Sequence, residues 1–130
     1  MRSLPLAAAA LLSLAVAVAA PAHAASDPTP QRGLLLTVSG DENTWIRGVL
    51  LRCAPEPSGH HPYAGAACAE LDAAGGDLDA LEGTDRVCTK EFAPVTVGAT
   101  CTHRGKVIAW HKTYANACTM DAATGHVFRF

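Results

Sequence analysis

Cysteine and histidine are the most reactive residue types in this sequence, and they come close together between residues 53 and 68. Cys53, His60, His61 and Cys68 have the side chains that bind metal ions. A structural zinc site, however, uses tightly spaced pairs of ligands, with about two to four residues between them. The spacing here is too wide for such pairs. The sequence therefore predicts no metal and no other cofactor, and His60 and His61 are interpreted as part of a solvated loop.

A thiol nucleophile is a second possibility, because His103 follows Cys101 by two residues. A thiol enzyme needs a base within hydrogen-bonding reach and a third group that orients the base. Residues two apart on an extended strand share a face and do not meet across a cleft. The sequence places no asparagine or aspartate as the orienting group. The pattern favours a spare thiol and predicts that the protein is not an enzyme; a small thiol enzyme that uses Cys101 is an alternative hypothesis.

The segment from Val87 to Pro94, with the sequence VCTKEFAP, is the strongest candidate for function. Cys88 lies two residues before Lys90, so a disulfide there would hold the backbone beside the lysine. Pro94 follows Lys90 by four residues, where it fixes φ and removes an N–H donor. A segment restrained on both sides loses little conformational entropy when it binds a partner. We therefore predict a loop that presents Lys90 to another protein.

The first 24 residues are predicted to be a cleaved secretory signal peptide. A basic start at Arg2 precedes a run of leucine, alanine and valine, and Ala22-His23-Ala24 fits the small-x-small pattern of a cleavage site. The apolar run is short for a membrane span, which needs about 20 residues. The protein is thus predicted to be secreted and extracellular, without a membrane anchor.

The mature chain would consist of residues 25–130, which is enough for one domain with a single modest core. Loss of Arg2 with the leader changes the formal net charge from −2 to −3. A mildly acidic chain without a basic stripe is a poor binder of nucleic acid. We therefore predict one folded domain and no nucleic-acid partner.

All five cysteines lie in the mature part of the chain. Secretion places them in an oxidising compartment, where disulfides are the default state. Two bridges would leave one thiol free, and the cysteine positions by themselves do not select one pairing among the many that are possible. The residues alone therefore leave the bridges undecided.

Short apolar runs separated by turn residues predict a mainly antiparallel sheet. Turn residues from Ser39 to Asn43 predict a hairpin between the first two strands, and Gly48 is predicted to mark a bulge in the second. The segment Ala54–Gly59 is predicted to be a loop. The strands are predicted at residues 34–38, 44–53, 94–102, 106–114 and 127–130.

One main helix is predicted after Pro62. Apolar residues recur at steps of three and four positions from residue 64 to residue 81, which is typical of one helical face. Gly75-Gly76 should weaken or end this helix, because each interior glycine costs about 1 kcal/mol relative to alanine. The acidic residues at 70–85 are interpreted as its solvated surface. A second, short helical segment is predicted from Asn116 to Ala123, with Asn116 as its cap.

Eight short stretches carry a resemblance to a known family. They are LTV at 36–38, CAPEPSGHHP at 53–62, ACAEL at 67–71, GGDL at 75–78, CTKEFAPV at 88–95, GKV at 105–107, NACTM at 116–120 and VFRF at 127–130. Together these stretches resemble the Streptomyces subtilisin inhibitor family. The resemblance extends over nearly all of the mature chain, and the positions of cysteine, proline and glycine make it specific.

The resemblance implies an α+β fold, a two-layer sandwich of a five-stranded antiparallel sheet with two helices. It also implies two disulfides, Cys53–Cys68 and Cys88–Cys118, with Cys101 left as a free thiol. Cys101 departs from the family pattern, which has another residue type near this strand end. A buried thiol, an inter-subunit bridge and a reshuffling hazard are the three interpretations of Cys101 that the sequence leaves open.

The resemblance further implies a serine-type endopeptidase inhibitor that binds its target as a substrate would. The reactive bond would be Lys90–Glu91, and Lys90 would fill the primary specificity pocket of the protease. Pro94 and Asn116 would support the loop. The flanking subsites would be filled by Val87, Cys88, Thr89 and Phe92.

The implied partners are subtilisin-like and trypsin-like serine proteases. Subtilisins have a roomy pocket, whereas a trypsin-type pocket has an aspartate at its base that receives lysine. Members of the family are usually homodimers, so a homodimer is expected here. The alternative is a secreted binding module whose Lys90 loop contacts a partner that is not a protease.

Overall fold

The computed structural model describes residues 33–103 and 105–130, except for the side chain of His103. The predicted signal peptide and residues 25–32 lie outside these described residues. No helix in the described ranges is long and apolar enough to cross a membrane.

Five antiparallel strands form one sheet, as the family resemblance implies. The strands are β1 Leu34–Gly40, β2 Ile46–Arg52, β3 Ser58–Gly59, β4 Val95–His103 and β5 Lys106–Tyr114. Their order in the sheet is β3-β2-β1-β4-β5, so β1 lies at the centre, with β2 and β3 on one side and β4 and β5 on the other.

Two helices complete the fold, α1 at Ala64–Ala73 and α2 at Ala117–Thr124. Gly75 and Gly76 follow α1 with φ values of 64° and 78°, a left-handed backbone that glycine adopts without steric cost. The prediction that these glycines end the helix is confirmed. Short 3₁₀ turns occur at Asp41–Asn43, within the first hairpin, and at Leu78–Ala80.

The core lies between one face of the sheet and the two helices. Leu36 and Val38 of β1 alternate with outward-facing residues, as do Val95, Val97 and Ala99 of β4, which is the pattern of a sheet with one buried face. These side chains cluster with Ala67, Cys68 and Leu71 of α1, with Met120 of α2, and with Val127 and Phe128. The two-layer α+β architecture is therefore confirmed.

The last predicted strand, residues 127–130, is wrong. The chain turns there instead, with Val127 N–H donating to the Thr124 carbonyl and Arg129 N–H donating to the His126 carbonyl. Val127 and the adjacent Phe128 are both buried, whereas a strand with one solvated face would bury only every second residue. Two consecutive apolar side chains therefore fill the core from an irregular segment.

Three smaller predictions also need correction. The β1–β2 register runs without interruption past Gly48, so no bulge occurs there. Within the predicted loop 54–59, Ser58–Gly59 pairs with the end of β2 as the short strand β3. His61 is buried rather than solvated, with one ring nitrogen 2.9 Å from the Val127 carbonyl oxygen and the other accepting the Tyr63 N–H.

Candidate functional site

The loop that carries Lys90 has no helix or strand from residue 81 to residue 94. Two apolar side chains of this loop are unusually exposed to solvent. Val87 is 100% exposed and Phe92 is 80% exposed, and Lys90 and Glu91 between them are also exposed. Large apolar side chains held away from the core are a feature of binding surfaces. The structure thus presents the segment that the sequence singled out.

A disulfide between Cys88 and Cys118 attaches this loop to the first turn of α2. The second disulfide joins Cys53, just after β2, to Cys68 of α1. Both pairings are those that the family resemblance implies. Cys101 forms no disulfide within the described chain and is half-buried on β4.

Asn116 holds the backbone on both sides of the Lys90–Glu91 bond. Its side-chain Nδ2 donates to the carbonyl oxygen of Glu91 at 2.8 Å and to that of Thr89 at 3.2 Å. Its Oδ1 accepts the Thr119 N–H at 2.9 Å, which caps α2 and fixes the orientation of the amide. Because Asn116 is only 6% exposed, these bonds are largely shielded from water.

The two carbonyls bound by Asn116 belong to alternate residues, with Lys90 between them. Asn116 does not bind the carbonyl of Lys90 itself, and no hydrogen bond found among residues 33–103 and 105–130 uses that carbonyl. A reacting group outside the domain could approach this carbonyl without breaking an internal bond.

Further contacts hold the two ends of the loop. On one side, Ala93 N–H donates to the Ala115 carbonyl at 2.9 Å, next to Pro94. On the other side, Thr84 N–H donates to the Ala122 carbonyl at 2.7 Å, and the Arg86 guanidinium lies 3.7 Å from the Asp121 carboxylate. Both of these contacts are to α2, so one short helix anchors most of the loop.

Sequence reasoning missed the contacts at Gly83, Thr84 and Arg86. The chain passes so close to α2 at Gly83 that a Cβ there would lie 1.8 Å from the Ala122 carbonyl oxygen. Glycine is the residue type that permits such a close approach. Gly83 was therefore the one sequence signal of this contact, but its partner is distant in sequence.

Tyr114, at the end of β5, lies beside the first part of the loop. It lines a cleft with Leu81, Gly83 and Thr84. Burial raises the pKa of the Tyr114 phenol above its ordinary value of 10.0, and the nearby Asp79 carboxylate raises it further. The phenol therefore favours its neutral form in the folded protein.

Cys101 lies far from the Lys90 loop. It is six residues beyond Val95 along β4, which is about 20 Å at the rise of an extended strand. In the sheet it lies opposite Ile108 of β5. The structure therefore does not bring the thiol and the loop together into one site. No group of three or more histidine, cysteine, aspartate or glutamate residues in the described ranges could hold a metal ion.

Residues 30–116, more than half of the chain, match the protein family described as subtilisin inhibitor-like. The chain is 44% identical over 102 residues to subtilisin inhibitor-like protein 2 of Streptomyces rochei, in a match that covers 75% of this chain and 90% of that protein. It is 42% identical over 118 residues to a subtilase-type protease inhibitor of Streptomyces coelicolor, covering 87% of this chain and 82% of the relative. These relatives are named as inhibitors, not as enzymes.

A solved structure with the same fold is that of Streptomyces caespitosus sermetstatin in complex with Bacillus licheniformis subtilisin. The two chains superpose with a TM-score of 0.59 at 34% sequence identity, and the match covers 75% of this chain and 97% of sermetstatin. Family, relatives and fold agree, so this chain belongs to the subtilisin inhibitor-like family of protease inhibitors.

Proposed function

We propose that this protein is a secreted inhibitor of serine endopeptidases that acts through the Lys90–Glu91 bond. The observation that carries the proposal is the pair of hydrogen bonds from Asn116 to the Thr89 and Glu91 carbonyls, which hold the chain on both sides of Lys90, while no hydrogen bond among the described residues uses the Lys90 carbonyl. A substrate-like inhibitor must offer one carbonyl to the catalytic serine and hold the chain on both sides of it.

Binding would proceed as for a substrate. The exposed loop would bind in the active site as an extended segment, through main-chain hydrogen bonds to the protease. The Lys90 carbonyl carbon would face the serine hydroxyl, and its oxygen would enter the oxyanion hole. If the Lys90–Glu91 bond is cut, Asn116 still binds the Glu91 carbonyl and the Cys88–Cys118 bridge still holds the other end. The new amine therefore stays near the acyl group, and resealing of the bond competes with release.

The side chains of the loop set the specificity. Lys90 matches a primary pocket with an aspartate at its base, so trypsin-like proteases are the predicted targets besides subtilisins. Sermetstatin, at 34% identity, is described in complex with subtilisin, which supports subtilisin-like partners for this chain. The flanking subsites would receive Val87, Cys88, Thr89 and Phe92.

The predicted signal peptide at residues 1–24 would send the domain at 25–130 out of the cell. The two disulfides support this proposal, because such bonds persist in oxidising, extracellular environments. Mass analysis of the secreted protein tests it. A mature chain that starts at Ala25, with one thiol that reacts with a label under non-reducing conditions, is the expected result; retention of the first 24 residues would contradict it.

A homodimer formed through the outer face of the sheet is part of the proposal. Leu35 of β1, Ile46 of β2 and Val107 of β5 are exposed and lie on the sheet face that turns away from the helices. Exposed apolar groups on one face are typical of association surfaces. Sedimentation velocity at micromolar concentration should give twice the mass of one mature chain, whereas the mass of a single chain would contradict the dimer.

Titration of the purified protein against a trypsin and a subtilisin tests the inhibitory function. We expect stoichiometric inhibition of both proteases. Lys90→Gly should abolish inhibition of trypsin and retain that of subtilisin, while the matched variant Lys90→Arg should retain both, because arginine also pairs with an acidic pocket. Unchanged trypsin inhibition by Lys90→Gly would show that Lys90 is not the specificity residue. Inhibition of neither protease by the wild type would favour a binding module with another partner.

A further inference from the structure

A groove lies between the reactive loop and the turn that joins β1 to β2. One wall is formed by Asp41, Thr44 and Trp45 of the turn, and the other by Glu91, Ala93 and Pro94 of the loop. We call this surface the turn groove. Thr89, on the other side of the Lys90–Glu91 bond, also lines the groove, and Asn116, Ala117 and Cys118 form its floor. Three of the four loop residues that line the groove follow that bond, so most of the loop wall lies on the primed side of the proposed protease-binding surface.

Trp45 is held in place although its ring is partly open to solvent. The ring packs against the main chain of Gly40, where a Cβ would lie only 2.3 Å from the indole Nε1. Gly40 N–H donates to the Trp45 carbonyl at 3.0 Å, and the Arg47 guanidinium lies 5.0 Å from the ring centroid. The side chain nevertheless keeps 41% of its surface exposed.

A fixed and exposed tryptophan beside a binding loop has the properties of an interface anchor. Tryptophan supplies a large contact area at a low cost in conformational entropy, and it is enriched among the residues that dominate binding energy. The close approach of the ring to Gly40 and the Arg47 guanidinium over it support the ring on two sides. A partner that contacts the ring therefore loses less free energy in ordering this side chain than it would with an unsupported one.

The charge of the turn groove indicates which partner chemistry fits it. Asp41 lies on one wall and Glu91 on the other, and Glu42 adds a further exposed carboxylate on the same turn. Arg47 already lies over the Trp45 ring and, among the described residues, is the one basic residue that the structure shows against it. A partner's lysine or arginine can lay its aliphatic part along the exposed part of the ring and keep its charged end near the three carboxylates. The groove therefore fits a basic side chain better than an acidic one.

We propose that the turn groove is a second contact surface for the inhibited protease and that Trp45 is a specificity-determining residue. The occupant is the part of the protease that borders the primed side of its active site, where it presents a lysine or arginine. This inference rests on the proposed function, because the protease must first bind the Lys90–Glu91 bond. It adds that proteases with a basic primed-side border bind more tightly than those without one.

The test uses a trypsin-type protease that carries a lysine or arginine at its primed-side border, and a variant of that protease with alanine at the same position. The inhibition constants of wild type, Trp45→Ala and Asp41→Asn are measured against both proteases. Trp45→Ala should weaken inhibition of the basic-bordered protease about tenfold and Asp41→Asn about threefold. Both effects should shrink against the alanine variant.

The matched control is Tyr63→Ala, which removes another exposed aromatic residue that does not line the groove. Tyr63→Ala should leave the inhibition constant within about twofold of wild type. Thermal unfolding of each variant checks the fold, and Trp45→Phe provides a second variant that keeps a ring against Gly40. An inhibition constant that stays within twofold for Trp45→Ala and Trp45→Phe overturns the inference.

The failures of the two proposals are distinguishable. If the wild type inhibits the protease and the Trp45 variants inhibit it equally well, the turn groove is not a contact surface and the proposed function stands. If equal losses occur against both proteases, Trp45 is a contact but the basic occupant is wrong. If the wild type inhibits neither trypsin nor subtilisin, the proposed function fails, and the inference fails with it.

Discussion

Two irregular segments of this domain differ in how much of their apolar surface they bury. Residues 81–94 and residues 125–130 both lack helix and strand; the first contains Phe92, and the second contains Phe128 and Phe130. Phe92 in the first segment is 80% exposed, whereas Phe128 in the second is 1% exposed. Lack of regular structure therefore says nothing by itself about how a segment is used.

The C-terminal segment is held by its own buried side chains and by side chains of other elements that bind its backbone. Phe128 stacks on Trp110 of β5 with 5.9 Å between the ring centroids. The Glu70 carboxylate accepts the His126 N–H and lies 2.7 Å from the His126 ring. His61 donates from Nε2 to the Val127 carbonyl, a role that follows because its Nδ1 accepts a backbone N–H.

The loop that carries Lys90 is held without burying its apolar side chains. A disulfide at Cys88 and hydrogen bonds from Asn116 to two carbonyls fix the main chain, and the side chains of Val87, Lys90 and Phe92 are left free. The comparison predicts a separation of effects. Side-chain changes in the loop should alter binding with little loss of stability, and those in the C-terminal segment should do the reverse.

Replacement of the two phenylalanines tests this separation with the largest expected effect. Phe128→Ala removes a fully buried ring and should lower the free energy of unfolding by about 3–5 kcal/mol, a large share of the total for a small domain. Phe92→Ala, the matched control, should change it by less than about 0.5 kcal/mol. Urea unfolding of both variants, with the disulfides intact, measures the difference.

The variants Phe128→Ala and Phe92→Ala should show the reverse order in their effects on the inhibition constant. Titration of subtilisin under conditions where Phe128→Ala is still folded should give the wild-type inhibition constant. Phe92→Ala should weaken it, because Phe92 is expected to fill a subsite next to the reactive bond. If Phe92→Ala destabilises the domain as much as Phe128→Ala does, the two segments are not held by different means.

Asn116 belongs to both kinds of contact, since it caps α2 and binds the loop carbonyls. Asn116→Ser keeps an oxygen for the cap but is too short to reach the loop. Asn116→Ala removes both contacts. Two hydrogen bonds at about 0.5–1.5 kcal/mol each predict that both variants inhibit about tenfold more weakly. Only Asn116→Ala should also lose about 1 kcal/mol of stability through the cap.

Inhibition constants, chemical unfolding and mass analysis of the cut Lys90–Glu91 bond during incubation with subtilisin measure these effects. Cleavage should accumulate faster in both variants, because the loop is held less firmly. Wild-type inhibition by Asn116→Ser would mean that Asn116 affects the loop only through α2, and the backbone half of the comparison would then be wrong.

The sequence located the exposed loop around Lys90 better than it predicted the C-terminal segment. Cys88 and Pro94 mark the loop with residue types that restrain the nearby backbone, so both could be interpreted without knowledge of the fold. The family resemblance supplied the pairing of Cys88 with Cys118 and the support of the loop by Asn116, which lies 25 residues from Glu91 in sequence. Four strands were predicted without the resemblance, because apolar runs bounded by turn residues mark β1, β2, β4 and β5.

The C-terminal segment could not be predicted in the same way, because its conformation depends on distant partners. The run VFRF is rich in residues that favour strands, but it forms a buried turn in which Phe128 stacks on Trp110 and the Val127 carbonyl binds His61. The burial of His61 could not be predicted, because the Val127 carbonyl that it binds lies 66 residues away in sequence. The position of Trp45 was not predicted for a similar reason. Trp45 and Glu91 line the same groove only because the fold brings the turn after β1 close to the loop.

The smallest expected effect concerns the first part of the loop, at alkaline pH. Burial and Asp79 raise the pKa of Tyr114 in the folded state above its unfolded value, so Tyr114 contributes stability below about pH 10 that is lost as the pH rises through the folded pKa. Tyr114→Phe cannot ionise, so the difference in unfolding free energy between wild type and variant should grow in the variant's favour from pH 9 to pH 11.

Asp79→Asn should reduce this alkaline loss of stability only in part, because burial is the larger cause of the raised pKa. Urea unfolding at several pH values measures both variants, and a difference that does not change with pH would mean that Tyr114 titrates alike in the folded and unfolded chains.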